Sequence, residues 1–434
     1  IPSIKNSSNS SNFLNIPYFH VVAENKDFTL SPRLYFGEKF LLQTEYRQKE
    51  IRSDHLLDFS LFAENSRGTK SHFFYNLDKD LVFKKFDKSE LNLKLQTVSN
   101  DIYLKSEKIE SEILGDKDIL ENSFGLDLYS NNLSVNFSSK VYEDLNKNKS
   151  DRYEYILPRI LLIKNFDENF SVESDTLVRN YDTNIFEKKN VNNFIYNSNN
   201  TTNNFGFTNN HQYLIRNTNS KNKNSNYKNK KNIYLSSIYQ FNSTLPLIKE
   251  SDSYRSILKP RLSFKAAPTH TKDQRNAEKK VDVTNIYSLD RMTDQSSIEG
   301  GLSAAYGFDY SILNKLNTRE ILKLKVANNL RLQKNEDLSR INQMGDKVSN
   351  IFTETSLQPH SMLNFKYSSS IKNNLKDINY ENLVSKFEVN NFSTKFDYLN
   401  ENNTQIKNSY LSNITSYSLN SFNMINFSTR RNKT

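Results

Sequence analysis

Apolar and polar residues alternate along most of this chain. Leu91, Leu93 and Leu95 are separated by Asn92 and Lys94. Leu126 and Leu128 precede a turn that is followed by Leu133, Val135 and Phe137. Leu322, Leu324 and Val326 alternate with Lys323 and Lys325, and Ile425 and Phe427 with Asn426 and Ser428. A period of two predicts half-buried strands. Sustained helical periodicity is missing. Leu316 to Leu324 is a short exception, but the lysines bracketing Leu324 favour a strand there too.

Clusters of Asn, Asp, Ser and Lys separate these runs. They predict turns and loops at Asn76 to Asp80, Asn146 to Asp151, Asn197 to Asn204, Asn217 to Asn232 and Asn400 to Asn403. The stretches Gly125 to Val135 and Phe387 to Leu399 predict antiparallel hairpins. A strand-plus-turn unit of about 17 residues gives roughly two dozen strands. No modular repeat is evident, which argues against a string of small sandwiches. A single large antiparallel barrel, which abolishes sheet edges, is the fold expected. A membrane barrel uses strands of about 9–11 residues, apolar outside and polar inside. Its overall hydropathy is therefore low, as here, where the mean hydropathy is −0.74.

Composition changes this picture little. Hydrophobic residues make up 36% of the 434, too few to fill the several cores of a large α/β enzyme. The longest apolar run, Ile160 to Ile163, falls far short of the about 20 residues of a spanning helix. Phe (29) and Tyr (24) suit pleated surfaces with one apolar face, and would also supply interfacial girdles. The net charge of +10 is spread along the chain. Its densest run, Lys221 to Lys231, is Asn-rich and without apolar periodicity, so it reads as a solvated loop and not a nucleic-acid site. The opening residues lack a secretory signature, and both ends read as cuts inside a longer protein.

The sequence offers little for catalysis or metals. Zero cysteines exclude a disulfide scaffold, a thiolate zinc site and a cysteine nucleophile. His20, His55, His72, His211, His270 and His360 show neither i, i+4 nor HExxH spacing, so neither metal nor cofactor is expected. No G-x-S-x-G elbow is present, and the protein reads as a non-enzyme.

Three segments are more specific. The first, Ile16 to Arg47, places Pro17 and Pro32 in two successive strand-like stretches, with Asn25 to Thr29 as the turn between them. A proline removes a ladder donor. The second is Leu258 to Pro268, LKPRLSFKAAP, preceded by Leu245–Pro246. The third is Asp290 to Tyr310, DRMTDQSSIEGGLSAAYGFDY, which holds three of only nine glycines. Gly300 and Gly301 predict a bulge or strand kink. Asp290, Arg291 and Glu299 predict a salt-bridge set inside the barrel.

These segments resemble the LPS-assembly outer-membrane family LptD, also called the OstA or organic-solvent-tolerance family. In the first, Pro17, Tyr18, Ala23, Asn25, Asp27, Thr29, Pro32, Gly37, Glu45, Tyr46 and Arg47 match. Glu24 stands where the family usually has a second proline. In the second, Pro260 and Pro268 match. In the third, Asp290, Arg291, Asp294, Glu299, Gly300, Gly301, Tyr306, Gly307 and Tyr310 match. The resemblance makes residues 1–15 a lead-in and 16–434 the barrel domain, without the family's periplasmic jellyroll and its last strands.

The resemblance implies a translocon in the outer membrane of a Gram-negative bacterium. It inserts lipopolysaccharide into the outer leaflet through a polar lumen and a lateral gate at Pro17 and Pro32. It also implies an LptE-like lipoprotein plug, a periplasmic bridge reached through the jellyroll, and contact with outer-membrane lipid. A passive porin-like channel and a secreted β-rich adhesin are the alternatives. An adhesin predicts no apolar outer belt.

Overall fold

The alternation becomes strand in the computed structural model, which describes residues 3–5, 12–35, 39–64, 68–148, 151–182, 184–224, 231–275, 280–292, 297–403, 407–420 and 423–432. Among these residues there are 26 strands and one short helix, Tyr103–Ser106. Every described strand pairing is antiparallel. Both predicted hairpins form, through the pairs Ser130 with Leu133 and Val389 with Phe392. Gly37 and Asp294 lie outside the described residues, as does most of the basic run after Asn224. Three predicted breaks are strand for much of their length. Asn76 to Asp80 ends the strand Gly68–Asp80, Asn217 to Lys223 ends Thr208–Lys223, and Asn400 to Asn402 ends Phe392–Asn402. Asn76 and Asp78 share the polar face with His72, whereas Asn217 alternates with the buried Arg216 and Thr218 and bonds to Asn192 and Asn219, so composition alone misreads these strands as loop.

The chain divides into two compact units. One comprises residues 1–193 and 217–234, the other 194–216 and 235–434. In the first, the strands Lys26–Tyr35, Lys39–Lys49, Ser53–Glu64, Gly68–Asp80 and Lys88–Val98 pair in order. Their register aligns Phe28, Tyr46, Leu57, Tyr75 and Leu95 on one face. The other face aligns Ser31, Gln43, Ser60 and His72. The usual burial is inverted. Leu61 and Phe73 are 49% and 39% exposed, whereas Ser60 and His72 are 0% and 1%. In water such an apolar face is costly, at about 25 cal/mol per Å². Against hydrocarbon it is the stable arrangement.

The polar face of this unit is covered by the chain between Val98 and Ile119. Tyr103, Leu104, Ile109 and Ile113 pack on Leu41, Phe62 and Phe74 in one cluster. A fully buried side chain of this size contributes about 1.5–3 kcal/mol. The second unit repeats the design. Val281, Val283 and Ile286 pack on Ala305, Ala327 and Phe352 from the strands Gly301–Asn314, Glu320–Arg331 and Ile351–His360. Its apolar face is again open, with Leu262, Tyr306 and Leu383 each above 40% exposed. An adhesin in water has no use for this face.

We expect nitroxides at Leu61 and Leu95 in the membrane-embedded protein to relax faster with oxygen than with a polar nickel chelate. Labels at Ser60 and Gln96, which face the other way, should not. Equal accessibility on both faces would remove the membrane assignment of the apolar face.

Candidate functional site

The first hairpin carries an incomplete ladder. The strand Lys26–Tyr35 pairs on one side with Tyr18–Ala23 and, further along, with Phe13–Asn15. The register passes from Tyr18 opposite Leu30 to Asn15 opposite Arg33, so Ile16 faces Pro32 and Pro17 faces Ser31. Ile16 and Pro17 belong to neither strand. Ile16 N–H donates to the Pro32 carbonyl at 3.1 Å. In an antiparallel rung of this type the second residue donates back. Pro32 has no N–H, so the rung is half made. Because successive N–H groups alternate in direction, the donor that Pro17 lacks belongs to the opposite edge. Pro17 therefore sits in the break between strands, not inside one, while Pro32 lies within its strand.

The neighbouring motif residues complete the hairpin. Asn25 is in the tight turn, and its Nδ2 donates to the Lys49 carbonyl at 2.9 Å. Asp27, Thr29, Glu45 and Arg47 share the polar face. Arg47 Nε donates to Asp27 Oδ1 at 2.9 Å and lies 3.6 Å from Glu45. Tyr18 points to the apolar face with Leu30 and is 59% exposed. All six residues of Tyr18–Ala23 are exposed.

In the second unit Arg291 and Glu299 form a bidentate pair at 2.7 and 2.6 Å. Arg331 Nη1 donates to the same carboxylate at 2.6 Å, and its Nη2 to the Gly300 carbonyl. Lys265 Nζ stands 3.9 Å from Glu299 and donates to the Ser288 carbonyl at 2.9 Å. All four side chains are buried. Beside them Arg216 binds Asp290 at 2.8 Å and the Ser297 carbonyl at 3.1 Å. Gly300 allows this approach, since a Cβ there would collide with the Thr269 carbonyl. Gly301 has φ +94°, a conformation that favours glycine. The cluster thus pins the segment before Gly301 to the polar face.

Other matched residues are structural. Gly307 faces Arg261, with the Tyr287 hydroxyl 2.6 Å from where a Cβ would stand. Tyr306 lies on the apolar face opposite Leu262. Pro260 is within Tyr254–Ala267 and Pro268 follows it, exposed.

Lys265, Arg331 and Arg216 escaped the sequence reading. So did Ser60, His72 and Asp58. Ser60 Oγ meets His72 Nδ1 at 2.6 Å, and His72 Nε2 meets Asp58 at 3.0 Å. The order resembles a hydrolytic triad. However, Ser60, His72 and Asp58 are each at most 1% exposed, and the Tyr103 hydroxyl covers Ser60 at 2.6 Å. No substrate reaches it, and the network anchors the helix Tyr103–Ser106. A polar residue in every second position of a strand was the available signal.

Burial alone would push the Glu299 carboxyl up, but Arg291, then Lys265 and Arg331, hold it at about 2. Its contribution to folding is therefore complete above the unfolded value of about 4.3 and fades as pH falls toward 2. Glu299→Gln leaves three buried cations without a counter-charge, a loss of about 3–5 kcal/mol. The variant should be cut by trypsin at Lys280 or Arg291 at least tenfold faster than the parent at pH 7. Equal cleavage rates would show that the cluster does not hold the segment.

Comparison with known proteins gives the context. No curated protein matches the chain. Among solved structures, the alcaligin outer-membrane receptor FauA from Bordetella pertussis is similar at 9% identity with a TM-score of 0.32, over 99% of this chain and 74% of that one. A family model for LPS transport system D, LptD, matches residues 70–430. That match contains the Asp290 to Tyr310 segment but not the first hairpin. The chain belongs to the LptD family, and so to the outer-membrane proteins of lipopolysaccharide transport in Gram-negative bacteria.

Proposed function

We propose that this chain forms the wall of a translocon that delivers lipopolysaccharide sideways into the outer leaflet, with the first hairpin as its gate. The half-made rung at Ile16 and Pro32 carries the gate reading. Opening a complete seam in hydrocarbon strands backbone donors and acceptors at several kcal/mol each. The first hairpin already lacks the Pro32 donor between its two strands and the Pro17 donor on its opposite edge, so a seam on either side has fewer bonds to lose.

The two faces suit an amphipathic cargo. The polar face, with its Asn, Ser and Gln rows, offers the glycan hydrogen bonds. The exposed Tyr18, Phe19, Val21 and Val22 offer acyl chains an apolar surface at the hairpin. No bond of the cargo is made or broken in this reading, so the protein acts as a conduit and not as an enzyme. An LptE-like lipoprotein plug and a periplasmic bridge docked through a jellyroll are the partners this reading requires.

A photo-crosslinker at Phe19 or Leu30 of the full-length protein should capture lipopolysaccharide only during active export. Replacing both Pro17 and Pro32 with alanine should slow delivery several-fold while the protein still inserts. Unchanged surface lipopolysaccharide in that variant, with no lipid adduct at either position, would leave a passive channel as the better reading.

A further inference from the structure

The incomplete rung occurs twice. The strands Lys231–Thr244 and Leu247–Glu250 both pair with Tyr254–Ala267, the first through Thr244 opposite Arg261 and the second through Leu247 opposite Leu258. Leu245 therefore faces Pro260, and Pro246 faces Lys259. Leu245 and Pro246 belong to neither strand. Leu245 N–H donates to the Pro260 carbonyl at 3.1 Å, and Pro260 has no N–H to return. Position for position this is the arrangement of Ile16, Pro17, Ser31 and Pro32.

The sequence carries the same repeat. An apolar residue and a proline, Ile16–Pro17 or Leu245–Pro246, open each copy. L-S-P-R-L-Y-F at Leu30 to Phe36 and L-K-P-R-L-S-F at Leu258 to Phe264 close it. The prolines are fifteen residues apart in the first copy and fourteen in the second. The arginine after the second proline is on the polar face in both. Arg33 donates to the Glu107 carbonyl at 2.6 Å and lies over Phe13. Arg261 reaches Asp309 at 3.4 Å and lies over the Tyr287 ring at 4.1 Å. The base of each hairpin is thus fastened to its unit. Beyond the break only one arm of each hairpin is exposed: Tyr18–Ala23 and Leu247–Glu250 are exposed at every residue, while Lys26–Leu30 and Tyr254–Leu258 stay paired with the next strand.

We propose that Leu245–Pro246 opposite Pro260 is a second copy of the paired-proline break, and that it hinges the outer arm Leu247–Glu250 against Tyr254–Leu258, which stays in the sheet. The consequence is a second mobile arm on the sheet, distant in sequence from the first hairpin. The inference rests on rung geometry and not on the gate reading. It holds whether or not the first hairpin passes lipid.

Amide hydrogen exchange of the full-length protein in lipid nanodiscs tests it without lipopolysaccharide transport as a readout. Pro260→Ala supplies an N–H aimed at the Leu245 carbonyl and should slow exchange in peptides covering Leu247 to Glu250 at least tenfold. Pro246→Ala supplies an N–H aimed at the opposite edge and should leave those peptides within about threefold of the parent. Unchanged exchange in Pro260→Ala, or equal slowing by both variants, overturns the hinge. Should either variant fail to insert, nitroxides on the parent sequence decide. A label at Ile248 on the outer arm should move faster than one at Leu262 on the base, and equal immobilisation overturns the proposal.

Discussion

A strand in hydrocarbon must pair every backbone N–H and C=O, because no water is there to replace a missing partner. This constraint gives the other features of the structure their meaning. It explains why a chain so poor in apolar residues is nearly all strand: the backbone bonds make the fold, and one apolar residue in two is enough to face lipid. It also makes prolines conspicuous. In a soluble sheet edge, Pro32 or Pro260 would be unremarkable. In an outer-membrane sheet each leaves an unmade bond that lipid does not forgive.

The inverted faces follow from the same constraint. Once the apolar side of the sheet turns outward, polar side chains crowd the other face, and they must satisfy one another. The Asp58, Ser60, His72 and Tyr103 network does this in one unit. Glu299 with Arg291, Arg331 and Lys265 does it in the other. Buried charge without a partner is costly, so each network is closed around a segment that leaves the sheet and returns to it. These segments, rather than a conventional apolar centre, supply the tight packing. Tyr103 and Ile109 in one, and Val283 and Ile286 in the other, have essentially no exposed surface.

The contrast between anchored and unanchored regions has a functional reading. Arg33 and Arg261 tie the bases of their hairpins to polar partners. The stretches beyond the half-made rungs, Tyr18–Ala23 and Leu247–Glu250, carry no buried residue. Local stability follows buried contacts and complete hydrogen bonding, so motion is expected where both are short. In the proposed gate reading, walls that hold and seams that yield are built from the same antiparallel ladder.

Much of this was legible in the sequence. Alternation such as Leu91-Leu93-Leu95 determined the strands, and the short Asn-rich turns determined hairpins such as Ser130 with Leu133. The prolines and the Asp290 to Tyr310 segment pointed to the family. The polar stretch Asn76 to Asp80 misled, because a strand with one wet face tolerates the residues that loops prefer. Only the tertiary structure decided which carboxylate meets which cation. Glu299 and Arg331 are 32 residues apart in sequence yet share a hydrogen bond, and nothing local encodes that. Register also had to be seen before Ile16 could be set against Pro32 and Leu245 against Pro260. Pairing is a long-range choice fixed by the whole sheet, whereas alternation is written residue by residue in the chain.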